Sequence, residues 1–148
     1  MAITRLDIGA RHTEARTGHG AAQLALGWLA TPQACFFHDP PTPAELERAI
    51  EMIEEEVMRT RGTGPSEPLL RASGDALREV ADAAGGADRL ALDTVEQMFQ
   101  RIASVSLGDP SAGRGLPSGV RFVATLLILR EFMHHGGFTA VDFADSPS

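Results

Sequence analysis

The chain has 148 residues, 43% of them apolar, and a formal net charge of −7. That length and apolar share fit one domain with a real core and leave disorder to the ends. The acidic balance speaks against nucleic acid, because binding phosphate backbones needs clustered positive charge. All 13 basic residues are arginine and tyrosine is absent, which excludes a Schiff-base lysine, pyridoxal phosphate attachment, a Walker-loop lysine and phenol-based acid catalysis.

The arginine-only, alanine- and glycine-rich usage is that of a bacterial protein from a genome rich in G and C. The N-terminus lacks a long apolar stretch behind a basic start, so no secretory signal is read. The eight-residue apolar run from Phe122 to Leu129 is far short of the roughly 20 residues of a membrane span. A cytoplasmic protein without membrane contact is the expectation. Cys35 is the single cysteine, so an intramolecular disulfide and an all-cysteine metal site are excluded, and a buried structural thiol is expected.

Residues 2–8, AITRLDI, alternate well enough to read as a short strand. Leu6-Asp7-Ile8-Gly9 resembles the strand and turn that hold phosphate in actin-like kinases and phosphatases. The likeness spans four residues, and those proteins need two larger domains and further motifs, so it is not taken as family membership. Residues 11–19 are locally basic but diluted by Glu14, and read as a solvated loop or strand edge. Residues 21–30 fit a strand through Leu24, Leu26 and Trp28 or a helix through their alanines. A second short apolar run, 35–37, ends at the Asp39-Pro40-Pro41 breaker.

Thr42 opens a helix over 43–61: its hydroxyl caps the start, Pro43 suits the first position and Glu45 completes a capping box. Leu46, Ala49, Ile50, Ile53 and Val57 form the buried stripe, and of a helix with six glutamates between positions 45 and 56, Glu47, Glu51, Glu54 and Glu55, with Met58, read as a solvated face. Residues 62–68 read as a flexible linker inside one domain. A helix follows from Ser73 or Asp75, with Leu77, Val80, Ala81 and Ala84 inward. Another starts at Asp93, with Val95, Met98, Phe99, Ile102 and Val105 on its apolar face.

Residues 108–119 are expected to be a mobile loop. The last helix enters at Pro117 or Ser118, ends at Gly136-Gly137, and is apolar almost all the way round. It must be enclosed by the rest of the chain or by a second copy, which makes a homodimer the expected assembly. Residues 139–143 read as a strand pairing with the N-terminal strands, and 144–148 as a frayed tail. The fold class predicted is α+β, with about four helices, an enclosed C-terminal helix and a small sheet from N-terminal strands and a C-terminal strand. An all-α bundle is the alternative.

Two constellations carry candidate chemistry. Glu131 and His134 stand at i, i+3, the spacing of di-iron carboxylate bundles, and are candidate ligands for iron, manganese or zinc, with His135, His38 or a glutamate of helix 43–61 completing the shell. The competing reading pairs Glu131 with Arg121 or an arginine of a neighbouring element and leaves His134 and His135 at a helix C-terminus, where positive charge is favoured. Trp28, Phe36, Phe37 and His38 are candidate lining for a ligand pocket beside the Asp39 turn; the simpler account gives Asp39 a turn role. Gly113-Arg114-Gly115 lacks the strand and helix context of a phosphate loop. No catalytic and no cofactor-binding residue is assigned. The leading expectation is a non-catalytic accessory or regulatory domain that works through protein contacts and needs no cofactor. A metal-binding protein or metal-dependent enzyme and a small-molecule binder are the alternatives.

Overall fold

The computed structural model describes residues 3–17, 20–60, 69–117 and 119–143. The chain opens with an antiparallel meander, β1 (Ile3–Ile8), β2 (Thr13–Thr17) and β3 (Gly20–Leu24), followed by α1 (Ala30–Cys35) and α2 (Pro43–Thr60). β4 (Leu69–Ser73), α3 (Leu77–Ala83), β5 (Arg89–Ala91), α4 (Leu92–Ser106), α5 (Val120–Gly136) and β6 (Ala140–Phe143) complete it. The described strands form one mixed sheet in the order β3-β2-β1-β4-β6-β5. β4 runs parallel to β1, β6 runs parallel to β4, and β5 closes the edge antiparallel to β6. The fold is α+β, as expected.

Period-two side-chain alternation gives the sheet two unlike faces. Leu6, Ile8, Ala15, Leu70, Ala72, Leu90 and Val141 are buried in the core. The other face carries Arg89, Asp142, Arg71, Arg5 and Arg16 in one cross-strand row. Each of these is exposed or half-exposed. Residue 20–24 being strand removes the all-α alternative. β2 lies between β1 and β3, not at an edge, with Thr13 and Ala15 buried. The predicted pairing of residues 139–143 with the N-terminal strands is corrected: β6 pairs with β4 and β5, because β4 already occupies the open side of β1.

The capping box forms as predicted. The N–H of Glu45 donates to Thr42 Oγ1 at 3.2 Å, and Glu45 Oε1 accepts from the N–H of Thr42 at 3.0 Å. Glu45 also accepts from the N–H of Phe37. Burial pushes the Glu45 carboxyl up, but the Thr42 N–H, the His38 ring and the Phe37 N–H outweigh it and hold it at about 2, well below the usual carboxylate range. A depressed carboxyl adds stability that is fully present above about 4.5, its ordinary value, and is lost as pH falls through the folded value. Glu45→Gln is therefore expected to flatten the acid limb of a stability-against-pH curve between about 4.5 and 2; an unchanged acid limb in denaturant titrations contradicts this.

α5 is enclosed by the chain itself. It packs against β1 and against α1, α2, α3 and α4, and every residue from Phe122 to Leu129 is buried, followed by Glu131, Phe132 and Met133. No apolar face of this helix is left over for a second copy. Its start is Gly119 and its end Gly137, which adopts the left-handed conformation typical of a helix C-cap. Within 108–119 the structure places a 3-10 turn, Pro110–Gly113. Arg101 donates from Nε to the Ala112 carbonyl at 2.9 Å, and from its guanidinium to the Arg114 carbonyl. The linker 62–68, Ser118 and the tail 144–148 lie outside the described residues.

Candidate functional site

β1 and β4 are parallel neighbours, so their carboxyl ends open on the same side, where open α/β sheets hold their ligands. Asp7 stands opposite Ser73 in that register, and Ser73 Oγ donates to Asp7 Oδ1 at 2.9 Å. The chain leaves β4 through Gly74 at φ +133°, where an added Cβ would meet the Ile8 carbonyl oxygen at 2.3 Å. Only glycine allows that approach.

Beyond Ile8 the chain turns over residues 9–12. The N–H of Gly9 donates to the His12 carbonyl at 3.0 Å. The Gly9 carbonyl accepts from Trp28 at 3.1 Å, and the Ala10 carbonyl accepts from Leu29 at 2.9 Å and from Ala30 at 3.0 Å. In a planar trans peptide the N–H points opposite to the C=O, so the N–H groups of Ala10 and Arg11 face away from the 28–30 segment. Successive N–H groups of this kind form an anion-binding concavity. Gly27 makes the docking possible, since a Cβ there would sit 2.2 Å from the Ala10 oxygen. The buried hydroxyl of Thr13 donates to the Leu26 carbonyl at 2.9 Å, and the Gly27 N–H donates to Thr31 Oγ1 at 3.1 Å.

Charged side chains of both signs flank this turn: Glu14 stands opposite Asp7 on β2 and pairs with Arg16 at 2.8 Å. Arg11 and His12 are exposed on it. Arg5 shares a strand face with Asp7 and stands in the arginine row with Arg16 and Arg71. Trp28, which donates to the turn, lies under the Arg121 guanidinium at 4.5 Å from its ring centre, and Arg121 Nε pairs with Glu79 at 3.1 Å.

The two residues of the predicted metal pair take different partners. Glu131 is buried, and its Oε2 accepts from its neighbour Arg130 at 2.7 Å, not from Arg121. His134 Nε2 instead meets Glu96 Oε1 at 2.5 Å. Burial raises the Glu96 carboxyl, but His134 and Arg130 together hold it below its ordinary value. His135, not His134, turns toward Glu131, and Glu54 joins them from α2. Glu54, on the glutamate face of α2, keeps a side chain that is 44% exposed while it reaches α5. Glu56 Oε2, on the same helix, accepts from the Ala25 N–H at 3.2 Å.

Of the predicted pocket residues, Phe37 borders a shallow cleft with Cys35, Glu45 and Arg48. Phe37 is 77% exposed, and His38 Nδ1 pairs with Glu45 at 3.0 Å. A cavity of about 650 Å³ does adjoin the Asp39 turn, lined by Pro41, Ile102, Val105, Leu116 and Phe122 among others, but Trp28, Phe37 and His38 are not among them. Cys35 is buried. Burial pushes its thiol up against the opposing pull of Arg48, which is the wrong direction for a nucleophile. Asp7, Ser73, Gly74, Gly27 and Arg121 were not assigned from sequence; only Asp7 carried a signal, in the strand-and-turn likeness.

A mixed sheet with an acidic residue at the end of β1, followed by a glycine turn with outward amides, defines an α+β fold suited to holding an anion at its strand ends. The comparisons with known proteins show where that fold recurs. No family model and no curated protein matches the sequence. Among solved structures, the PPX-GPPA enzyme of Aquifex aeolicus superposes with a TM-score of 0.73 at 17% identity, over 98% of this chain and 54% of its own. A type II variant of the Aquifex aeolicus Ppx/GppA phosphatase gives 0.74 at 16% identity, over 97% and 53%. An exopolyphosphatase-like protein gives 0.74 at 12% identity, over 98% and 55%. The chain spans about half the length of these structures, and at such identities the likeness is one of fold. It overturns the expectation of a non-catalytic accessory or regulatory domain, since the fold is the one that these phosphatases use. Among the described residues no helix is long and apolar enough to cross a membrane.

Proposed function

We propose that this chain is a phosphatase-like domain that binds a phosphoryl group of a phosphate ester or polyphosphate on the residue 9–12 turn and supports its hydrolysis through Asp7. The observation that carries this reading is the pair of outward N–H groups, Ala10 and Arg11, set one turn beyond the Asp7–Ser73 hydrogen bond. The solved phosphatases of the same fold support it, as does the arginine row on the Asp7 face.

The roles follow from the geometry. The turn amides and Arg11 take the non-bridging phosphate oxygens, charge-assisted bonds that are stronger than neutral ones. Ser73 occupies Asp7 Oδ1, which leaves Oδ2 to accept a proton from water. The water oxygen forms the new P–O bond, and the bridging P–O bond breaks. The leaving oxygen departs with the electron pair and is protonated from solvent. Positioning and electrostatics dominate phosphoryl transfer, so few groups are required. A second domain facing the turn belongs to the proposal, because the phosphatases of this fold are about twice as long. A cytoplasmic setting belongs to it too, since multiply charged phosphates do not cross a hydrocarbon layer.

Tripolyphosphate titrated into the full chain tests the binding step, read by the fluorescence of Trp28, the single tryptophan, and by amide shifts in NMR spectra. Shifts are expected at Ala10 and Arg11, with about tenfold weaker binding in Arg11→Ala, or about 1.4 kcal/mol. Saturation without shifts at the turn, or no saturation at millimolar ligand, overturns the reading. Asp7→Asn is expected to keep the phosphate affinity and to lower hydrolysis of p-nitrophenyl phosphate by about 10²–10⁴.

A further inference from the structure

Ten residues along α5 from Arg121, roughly 15 Å at the helical rise, lies a second cluster that the phosphate site does not use. Glu131 and His135 stand at i, i+4 on α5, and the neighbouring α2 brings Glu54 against them. One carboxylate oxygen of each glutamate and a ring nitrogen of the histidine all lie within 4.8 Å of one another. We propose that Glu54, Glu131 and His135 bind one divalent transition-metal ion, with zinc the best fit, and so clamp α2 to α5.

The histidine stands off from both carboxylates, while the two carboxylates press against each other in hydrogen-bonding contact. His135 Nε2 is 3.6 Å from Glu131 Oε1 and 3.9 Å from Glu54 Oε1, too long for hydrogen bonds. Ligands held at about 2.0–2.2 Å around tetrahedral zinc stand roughly 3.3–3.6 Å apart along the edges of the tetrahedron. A side-chain adjustment of a few tenths of an ångström closes the difference.

Charge and chemistry agree with the spacing. Glu131 is 2% exposed, and its other oxygen is held by Arg130, which is shared with Glu96. One guanidinium thus serves two carboxylates, and Glu54 adds a third negative group. A buried carboxylate pressed against another takes up either a proton or a cation. One imidazole nitrogen with two carboxylate oxygens suits zinc, whereas magnesium and calcium take six or more oxygens. Three protein ligands leave a fourth position for water. Glu54 and His135 side chains, 44% and 26% exposed, give the ion a way in.

The test uses the full untagged chain, stripped with EDTA and titrated calorimetrically with zinc chloride, with magnesium chloride as a second titrant. One zinc per chain and a raised melting temperature are expected, with little response to magnesium. Glu54→Gln and His135→Ala should each weaken zinc binding at least tenfold and abolish the thermal shift. His134→Ala, whose ring is engaged by Glu96, should leave affinity within twofold. Because Glu131 is buried, its replacement can disturb the fold, so the two accessible ligands decide the matter. Absence of stoichiometric uptake means that the carboxylates share a proton, and overturns the proposal. Uptake that survives both Glu54→Gln and His135→Ala overturns it as well.

Discussion

Phe132→Ala is expected to lower the stability of the protein by about 3–5 kcal/mol, the upper range for truncating a buried aromatic side chain. Phe132 is 1% exposed on a helix whose neighbouring positions are buried on nearly every side. A cavity opened on an ordinary amphipathic helix can be relieved by tilting its polar side toward water. α5 has no such side: α1 to α4 and β1 all pack against it. Collapse around the hole would have to move several elements together, which close-packed interiors resist. Urea titration measures the effect, and a loss below about 1 kcal/mol would show that the enclosure is looser than described.

Gly74→Val is expected to cost about 2–6 kcal/mol, combining positive-φ strain with forced separation of backbone. The new Cβ would sit 2.3 Å from the Ile8 carbonyl oxygen, and backbone there cannot rotate away as a side chain can. Relief requires parting the ends of β1 and β4, which also breaks the Ser73 to Asp7 hydrogen bond. Tripolyphosphate binding should therefore fall with stability. Gly86→Ala provides the comparison: its φ is +80° but nothing lies within 4 Å of an added Cβ, so only strain of about 1–2 kcal/mol applies. Equal losses in the two variants would mean that the close approach to Ile8 contributes nothing.

The two candidate sites were legible to different degrees. Asp7, Ile8 and Gly9 stood out because a strand, an acid and a glycine turn are contiguous. Their partners Ser73 and Gly74 did not, because β4 is five residues long and follows a linker, too short to announce a period. Phe37 ends a short apolar run and His38 follows it, but α1 ends at Cys35 and leaves both at the surface. At Glu131 the helix spacing allowed either histidine: i, i+3 and i, i+4 both lie on the same side of a helix. Glu96 on α4 took His134, and Glu54 on α2 faced His135, a choice made by packing between helices.

The sequence alone determined the features that depend on a few consecutive residues. These are the Thr42–Glu45 capping box, the amphipathic course of α2, the glycine end of α5 and the need to enclose α5. Each follows from one or two turns of local geometry and the avoidance of water by apolar side chains. The tertiary structure decided the strand order, the place of β4 beside β1, and which side chains meet across 66 residues at Asp7 and Ser73 or between α2 and α5 at Glu54 and Glu131. Those pairings depend on which strand edge is free and which helix faces it, and such non-local contacts leave no mark on the residues nearest in the chain.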